Sequence, residues 1–350
     1  MAEKAAPPSP WNLGGLSVRE LARRVYNEIT ADEVLDRAAS LAYYLVFALF
    51  PTLLFLTSLL GLLPLPNLMD RLFQYADHAL PSDAASMLRR TFAEIQRNAH
   101  GGLLSAGALA ALWASSSGMD SMISALNVAY DVQERRPWWK RRLIALALTV
   151  GFGLFILVAL VLLVFGGQIG ALVAAHLGLG GVFTVAWNVA SVLIVITCVL
   201  VGLAMVYYLA PDAKQHWWWV TPGSAVALLV WLGISFGLRF YVSHFTNYSA
   251  TYGSIGGVIL LILWLYLSGV VLLLGAEINA EIEHAAAERG AVTAKARGEN
   301  EAPADGGTPE AVLAARRAAP PPKRARWRRT LALVGAGAVV GWVARRQRAA

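Results

Sequence analysis

Long apolar runs separated by polar segments dominate the sequence. A helix rises about 1.5 Å per residue, so roughly 20 apolar residues cross a hydrocarbon core of about 30 Å. Six runs are long enough, at residues 38–63, 103–129, 143–165, 182–209, 217–241 and 254–276. The pattern predicts an all-α fold, a polytopic membrane helix bundle with six core transmembrane helices.

The polar segments around these runs predict the domain organisation. Residues 16–36 place apolar side chains at helical spacing, which favours an amphipathic helix on the membrane surface. Residues 68–99 show a helical period with a break at 81–83, which predicts a water-exposed helical hairpin between spans one and two. We expect a disordered N-terminus at 1–15 and a six-span membrane domain at 16–284.

The C-terminal part has a different composition. Residues 285–322 are rich in alanine, proline and charged side chains, and we expect a flexible tail there. Residues 323–350 form a basic segment with a short glycine-rich apolar helix at 330–344. This helix either packs as a seventh membrane helix or lies at the interface as an anchor.

Composition and charge agree with a membrane protein and predict its orientation. Hydrophobic residues make up 57% of the chain, charged residues make up 15%, and the mean hydropathy is +0.55, which excludes an ordinary soluble protein. The net charge is +7, and the basic residues lie mainly at the ends of the apolar runs and in the C-terminal tail. Residues 1–37 and 130–142 each carry five Lys or Arg, whereas the loops 166–181 and 242–253 carry none. The positive-inside rule therefore predicts that both ends of the membrane domain are cytoplasmic, although the loop 64–102 carries four arginines.

Polar residues inside the first two spans are candidates for a translocation path. In span two, Ser116, Asp120 and Asn127 fall on one side of the helix. In span one, Asp36 and Tyr43 share a face, and Pro51 removes a backbone hydrogen bond in mid-span. We expect these side chains to face a cavity between spans one, two and six, because polar groups in hydrocarbon need water or a partner. The alternatives are a packed kink at Pro51 and a helix-packing or interface-level role for Asp120.

Span six adds a packing surface and a carboxylate. One side of it carries Gly253, Gly257, Trp264, Ser268, Gly275 and Asn279, a small-residue seam suited to close packing. Glu277 lies near a helix C-terminus, where a negative charge is unfavourable, so we expect a cationic partner in Arg37 or in the basic loop after span two. The full set of candidate path residues is Asp36, Tyr43, Pro51, Ser116, Asp120, Asn127, Tyr252, Glu277 and Asn279.

Motifs of soluble enzymes are absent from the sequence. It has no GxxxxGK[ST] phosphate loop, its six histidines show no metal-binding spacing, and Cys198 is its only cysteine. We therefore expect no catalytic residues, no metal, no cofactor and no nucleic-acid partner.

Three motifs carry a resemblance to a known family. They are DRAASLAYYLVFALFPTLL at 36–54, ALNVAYDV at 125–132, and YGSIGGVILLILWLYLSGVVLLLGAEINAEIE at 252–283. The chain resembles the YihY / virulence factor BrkB family of bacterial inner-membrane proteins over residues 18–284. The resemblance implies six spans and a location in the bacterial plasma membrane, but no settled activity. Some members of the family have carried the label of a transfer-RNA-processing ribonuclease.

Two functions are consistent with these features. The first is a secondary or passive transporter, a permease for lipids or small molecules that does not use ATP. The second is an envelope scaffold that transports nothing. A ribonuclease is disfavoured, because no basic surface interleaved with aromatic residues is present. Expected partners are membrane lipids, a lipid or small-molecule substrate, and further copies of the chain in a homo-oligomer.

Overall fold

The computed structural model describes residues 9–61, 101–177, 181–244, 248–302 and 311–314, and the chain divides into two units, residues 1–307 and 308–350. In the first unit, the described residues are helical apart from turns and an isolated bridge between Lys214 and Glu301. In the second unit, residues 311–314 are helical. These described ranges contain no β-strand, so the predicted all-α class is confirmed.

The predicted apolar runs form long helices. The α-helices of the first unit are α1 (Val18–Ala31), α2 (Val34–Gly61), α3 (Gly101–Ala129), α4 (Trp138–Leu177), α5 (Gly181–Leu209), α6 (Thr221–His244) and α7 (Tyr248–Glu288). Short 3-10 helices at Pro10–Gly15 and Trp217–Val220 precede α1 and α6. Each of the six predicted spans therefore coincides with one of the helices α2 to α7.

Within the described residues, four helices are long and apolar enough to cross a membrane. The qualifying segments are Trp138–Ala159, Val189–Leu209, Trp217–Tyr241 and Gly256–Glu288. Helices α2 and α3 coincide with the other two predicted spans. The count of six spans and the orientation of the termini stay predictions.

Helix α1 is the predicted amphipathic helix, although it ends at Ala31. The Ser17 hydroxyl caps its N-terminus by accepting a hydrogen bond from the backbone N–H of Glu20 at 3.3 Å. Leu21 and Val25, four residues apart, are buried. Its apolar face therefore packs against the bundle; the proposed contact of α1 with a membrane surface stays a prediction.

Helix α7 is central to the bundle and packs against α1, α2, α3 and α6. Its contact with α6 is close, because a Cβ added to Gly223 would lie 2.1 Å from the backbone oxygen of Gly275. Further along the same pair of helices, the Trp231 indole donates to Ser268 at 3.0 Å. Gly257 of the predicted seam, by contrast, faces open space. The seam packs against α6 over its C-terminal part.

Two terminal segments differ from the expectation of disorder. Residues 10–15, expected to be disordered, form a 3-10 helix in which Gly14 adopts a φ of +64° and contacts the backbone of Ile282. Residues 289–302, expected to belong to a flexible tail, fold against the bundle and bury Lys295 to 1% exposure. The predicted hairpin at 68–99 and apolar helix at 330–344 lie outside the described residues.

Candidate functional site

The buried polar side chains of the first unit concentrate at one end of the bundle. Helices α2, α4 and α6 begin at this end, and α3, α5 and α7 finish there. The buried polar residues there, which we call the polar layer, are Asn127, Gln215, Ser224, Glu277, Asn279, Glu281, Glu283, His284 and Lys295. Five of these nine residues lie near the C-terminal end of α7, in the sequence AEINAEIEHA at 276–285.

Asn279 lies at the centre of the polar layer and joins three elements. Its Oδ1 accepts a hydrogen bond from the backbone N–H of Gly223 at 2.7 Å. Its Nδ2 donates to the carbonyl of Val220 at 3.0 Å and to the Tyr130 hydroxyl at 3.3 Å. Because Gly223 lies in the first turn of α6, this amide satisfies a donor that the helix leaves free. The geometry gives Asn279 a structural role.

Asn127 joins the end of α3 to the loop after α5. Its Nδ2 donates to Glu134 at 2.9 Å, and its Oδ1 accepts from the backbone N–H of Asp212 at 2.7 Å. Glu134 in turn accepts from the Arg136 guanidinium at 2.7 Å. Partial burial would raise the pKa of the Glu134 carboxyl, but the hydrogen bonds from Arg136 and Asn127 outweigh it and lower that pKa. This network is fully paired and fixes two loops.

Asp120 is neutralised by a neighbouring helix. The guanidinium of Arg141, on α4, donates to its two carboxylate oxygens at 2.7 and 2.8 Å. The same guanidinium also donates to the Ser124 hydroxyl at 2.8 Å. Ser116 is fully buried, and its hydroxyl donates to the backbone oxygen of Trp113 at 2.7 Å. The polar stripe of α3 therefore faces α4 at Asp120.

Among the carboxyl groups of the polar layer, Glu277 is the one whose pairing is incomplete. It is 1% exposed, and its Oε1 atom makes no hydrogen bond with any described residue. Its electrostatic neighbours include the carboxyl groups of Asp32, Asp131 and Glu28. The predicted cationic partner is wrong for Arg37, whose Nε donates at 2.7 Å to the backbone oxygen of Asp32. Among the described residues no salt bridge reaches Glu277.

Two carboxyl groups beside the polar layer have raised pKa values. Burial, reinforced by the nearby Asp131 and Glu28 carboxylates, raises the pKa of Asp32 to about 7. Its Oδ2 is buried without a hydrogen-bond partner, which agrees with a carboxyl that favours its neutral form. Burial also raises the pKa of Asp131, although Arg297 opposes this shift. This end of the bundle therefore holds several carboxyl groups that compete for few cations.

Arg297 is the main cation of this group. Its guanidinium lies 2.9 Å from a Glu28 oxygen and 3.1 Å from an Asp131 oxygen, and it also pairs with Glu281. His284 packs beside Glu281 with its Nδ1 3.7 Å from the nearest carboxylate oxygen, too far for a hydrogen bond. One guanidinium thus binds carboxylates from α1, α7 and the loop after α3.

The structure separates the other predicted path residues from the polar layer. Asp36 and Tyr43 are exposed, and Tyr43 retains 60% of its surface. Pro51 is half-buried inside α2, about 25 Å along that helix from its first residue. Tyr252 belongs to α7, but its side chain lies outside the described residues. The nine candidates therefore do not lie in one buried cluster, and the proposed cavity between spans one, two and six stays a prediction.

Sequence reasoning missed Asp32, Asp131, Gln215, Lys295 and Arg297. The signal was partly present, because α7 carries polar residues at 277, 279, 281, 283 and 284, so polar groups point in several directions around one helix. Such a helix needs partners on several sides, and the basic residues that follow it supply some of them. No group of three His, Cys, Asp or Glu within the described ranges could hold a metal ion.

Comparison with known proteins places these features in a family. The family model for virulence factor BrkB matches residues 25–299, which include the whole polar layer. The chain belongs to the virulence factor BrkB family. That match and the four membrane-capable helices make it an integral bacterial membrane protein.

Several curated relatives support the assignment. The putative ribonuclease-like protein YfkH of Bacillus subtilis is 39% identical over 258 residues, which cover 74% of this chain and 93% of the relative. The UPF0761 membrane protein Smlt0865 of Stenotrophomonas maltophilia is 26% identical over 273 residues, covering 74% of this chain and 60% of the relative. The UPF0761 membrane protein RSc1559 of Ralstonia nicotianae is 28% identical over 281 residues, 78% of this chain and 60% of the relative. No solved structure matches the chain.

Proposed function

We propose that the protein is a secondary or passive transporter that moves a lipid or small molecule and has no enzymatic activity. In this proposal α2 to α7 are six transmembrane helices, and the polar layer is the proton-sensitive end of the path. Membrane lipids and further copies of the chain are its expected partners.

The observation that carries the proposal is the state of Glu277. A carboxyl buried to 1% exposure, with an unpartnered Oε1 and the carboxyl groups of Asp32, Asp131, Glu28 and Glu281 nearby, is costly in a membrane helix. Such groups are retained in membrane proteins mainly where they bind an ion, a proton or a substrate. The side chains of Ser116, Asp120, Asn127 and Asn279, which the sequence also singled out, have hydrogen-bond partners, so Glu277 is the candidate titrating group.

The orientation follows from charge. The loop at 130–142 carries five Lys or Arg and lies beside the polar layer, whereas the loops at 166–181 and 242–253 carry none. The positive-inside rule therefore assigns the polar layer to the cytoplasmic side. The exposed Trp138 and Trp218 at the same end are suitable interface anchors.

The energy source in this proposal is a gradient. The sequence contains no phosphate-binding loop that would couple ATP hydrolysis to transport. A desolvated carboxyl can take up and release a proton near neutral pH, because burial disfavours its charged form. A proton gradient, the membrane potential or the gradient of the substrate would then drive the flux.

An envelope scaffold without transport is the second candidate. It is favoured by the hydrogen bonds of Asn127, Asn279 and Asp120, because these bonds hold neighbouring helices and loops together. The name of the Bacillus relative suggests a ribonuclease, but a buried polar layer offers no surface for a nucleic-acid strand.

Reconstitution tests the proposal. Purified protein in liposomes of bacterial polar lipids is given either fluorescent phosphatidylethanolamine in one leaflet or a bacterial metabolite extract outside, with a pH dye inside. We expect lipid transfer or proton movement above that of protein-free liposomes. Absence of both, with folded protein in the liposomes, would instead favour the scaffold.

A further inference from the structure

Residues 289–302, which we call the strap, reverse direction after α7 and run back across the polar layer. The reversal begins at Gly290, whose φ of +86° is the left-handed conformation that commonly ends a helix. The backbone N–H of Ala291 then bonds to the oxygen of Ala286 at 3.0 Å. The strap reaches the loop after α5, where Lys214 and Glu301 form the isolated bridge.

The contacts of the strap are ion pairs and hydrogen bonds, and Asn300 makes hydrogen bonds with the backbone of Gln133, Asp212 and Lys214. The ammonium group of Lys295 lies 2.6 Å from a Glu283 oxygen and 3.4 Å from the Gln215 side-chain oxygen. It also lies 5.6 Å from the centre of the Tyr130 ring, within range of a cation–π interaction. Two residues further on, Arg297 pairs with carboxylates from α1, α7 and the loop after α3. Two cations of one short segment thus connect most of the elements that meet at this end.

The apolar contacts of the strap are small by comparison. The strap residues that pack against the nearby apolar cluster are Ala291, Ala294 and Ala296. Alanine buries little apolar surface, so these contacts add little to the hydrophobic free energy. Charged groups that leave a buried pair regain their hydration, which offsets much of the lost attraction. Detachment of the strap therefore requires far less free energy than separation of the helices beneath it.

We propose that the strap is an autoinhibitory closure of the polar layer. When attached, it covers the face of α7 that carries Glu283 and holds the acidic groups of this end with its own Lys295 and Arg297. When detached, it opens that face to the solution and frees Glu281 and Glu283 to bind cationic groups. This inference rests on the proposed function for its effect on transport, but the closure itself can be measured without transport.

Accessibility of a buried reporter tests the closure directly. Ala287 is fully buried, lies one helical turn beyond Glu283, and belongs to the same cluster as Ala294. In a Cys198→Ser background, Ala287→Cys is labelled with a charged maleimide in membrane vesicles open to both sides. The labelling rate is measured in this variant and in the same variant carrying both Lys295→Met and Arg297→Gln. We expect the two strap substitutions to raise the labelling rate at least tenfold.

Two reference positions separate strap opening from loss of structure. Ala145→Cys, fully buried in α4, should label slowly in every variant, and Asn27→Cys, exposed on α1, should label rapidly in every variant. The pair Lys214→Cys and Glu301→Cys, at the isolated bridge, is close enough for a disulfide that refastens the strap. Oxidation should lower the labelling rate of Ala287→Cys in the strap variant toward the rate measured with the unsubstituted strap.

The outcomes distinguish the closure from the transport proposal. Faster labelling of Ala287→Cys alone supports the closure, even in liposomes that show no flux. An unchanged rate, or an equal increase at Ala145→Cys, overturns the closure even if flux is present. Where flux exists, the strap substitutions should increase it and the oxidised disulfide should suppress it.

Discussion

At the scale of single residues, pairing decides which polar side chains can titrate. Glu277 lacks a partner for Oε1, whereas Asp120, Asn127 and Asn279 each have well-formed hydrogen bonds. The sequence identified all four as polar residues of apolar helices. The sequence could not show which of the four have hydrogen-bond partners, because the partners Arg141, Asp212 and Gly223 lie in other parts of the chain.

The Asp120–Arg141 pair should contribute to stability and not to proton transfer. We expect Asp120→Asn to destabilise the protein by about 1–3 kcal/mol, because it leaves a partly buried guanidinium with a weaker acceptor. Thermal unfolding in detergent measures this change. The control is the double variant Asp120→Asn with Arg141→Gln, whose loss of stability should be smaller than the sum of the losses in the two single variants. Additive losses would show that the pair is not coupled.

The raised pKa of Asp32 should make stability depend on pH. An acid whose pKa is about 7 in the folded protein and near 3.8 in the unfolded chain binds more protons when folded. Its contribution is therefore fully present below about pH 4 and is lost as the pH rises through about 7. We expect Asp32→Asn to reduce the fall in melting temperature between pH 5 and pH 8. An identical pH profile for both proteins would contradict this assignment.

At the scale of elements, the hydrophobic pattern predicted the helices well and their pairing poorly. Six apolar runs coincide with α2 to α7, because a continuous helix pairs the backbone polar groups of an apolar segment within the segment itself. The path predicted along α2 stays a prediction: Asp36 and Tyr43 share a helix face as expected, but the face they share is exposed. A helix face can be read from spacing, but the neighbour that covers it depends on tertiary packing. The pairing of Arg297 with Glu28 and Asp131, and of Lys295 with Gln215, could not be predicted for the same reason, because these partners lie in other parts of the chain.

The close contact of α6 and α7 should tolerate no side chain at Gly223. We expect Gly223→Ala to cost about 2 kcal/mol or more, because its Cβ would overlap the Gly275 carbonyl and the Asn279 amide. The matched control is Gly237→Ala on the same helix, where a Cβ meets nothing within 4 Å. The control should be neutral or slightly stabilising through its helix propensity. Equal melting temperatures for the two variants would argue against this packing.

At the scale of the whole molecule, the proposed six spans and cytoplasmic polar layer predict a definite labelling pattern. In a Cys198→Ser background, Tyr248→Cys should react with an impermeant maleimide in intact cells. Trp138→Cys should react only after the cells are opened, because it begins α4 beside the basic loop at 130–142. The reverse pattern would invert the proposed orientation, and labelling of both sites from outside would remove one span from the count.

The most direct measurement of the central claim is the pH dependence of flux in proteoliposomes of the wild type, Glu277→Gln and Asp36→Asn. Both substitutions remove one carboxylate that the sequence proposed for the path, but Glu277 is buried and unpartnered whereas Asp36 is exposed. We predict that Glu277→Gln abolishes the pH dependence while its melting temperature does not fall, and that Asp36→Asn behaves as wild type. Wild-type pH dependence in Glu277→Gln would contradict the assignment of Glu277 as the titrating group.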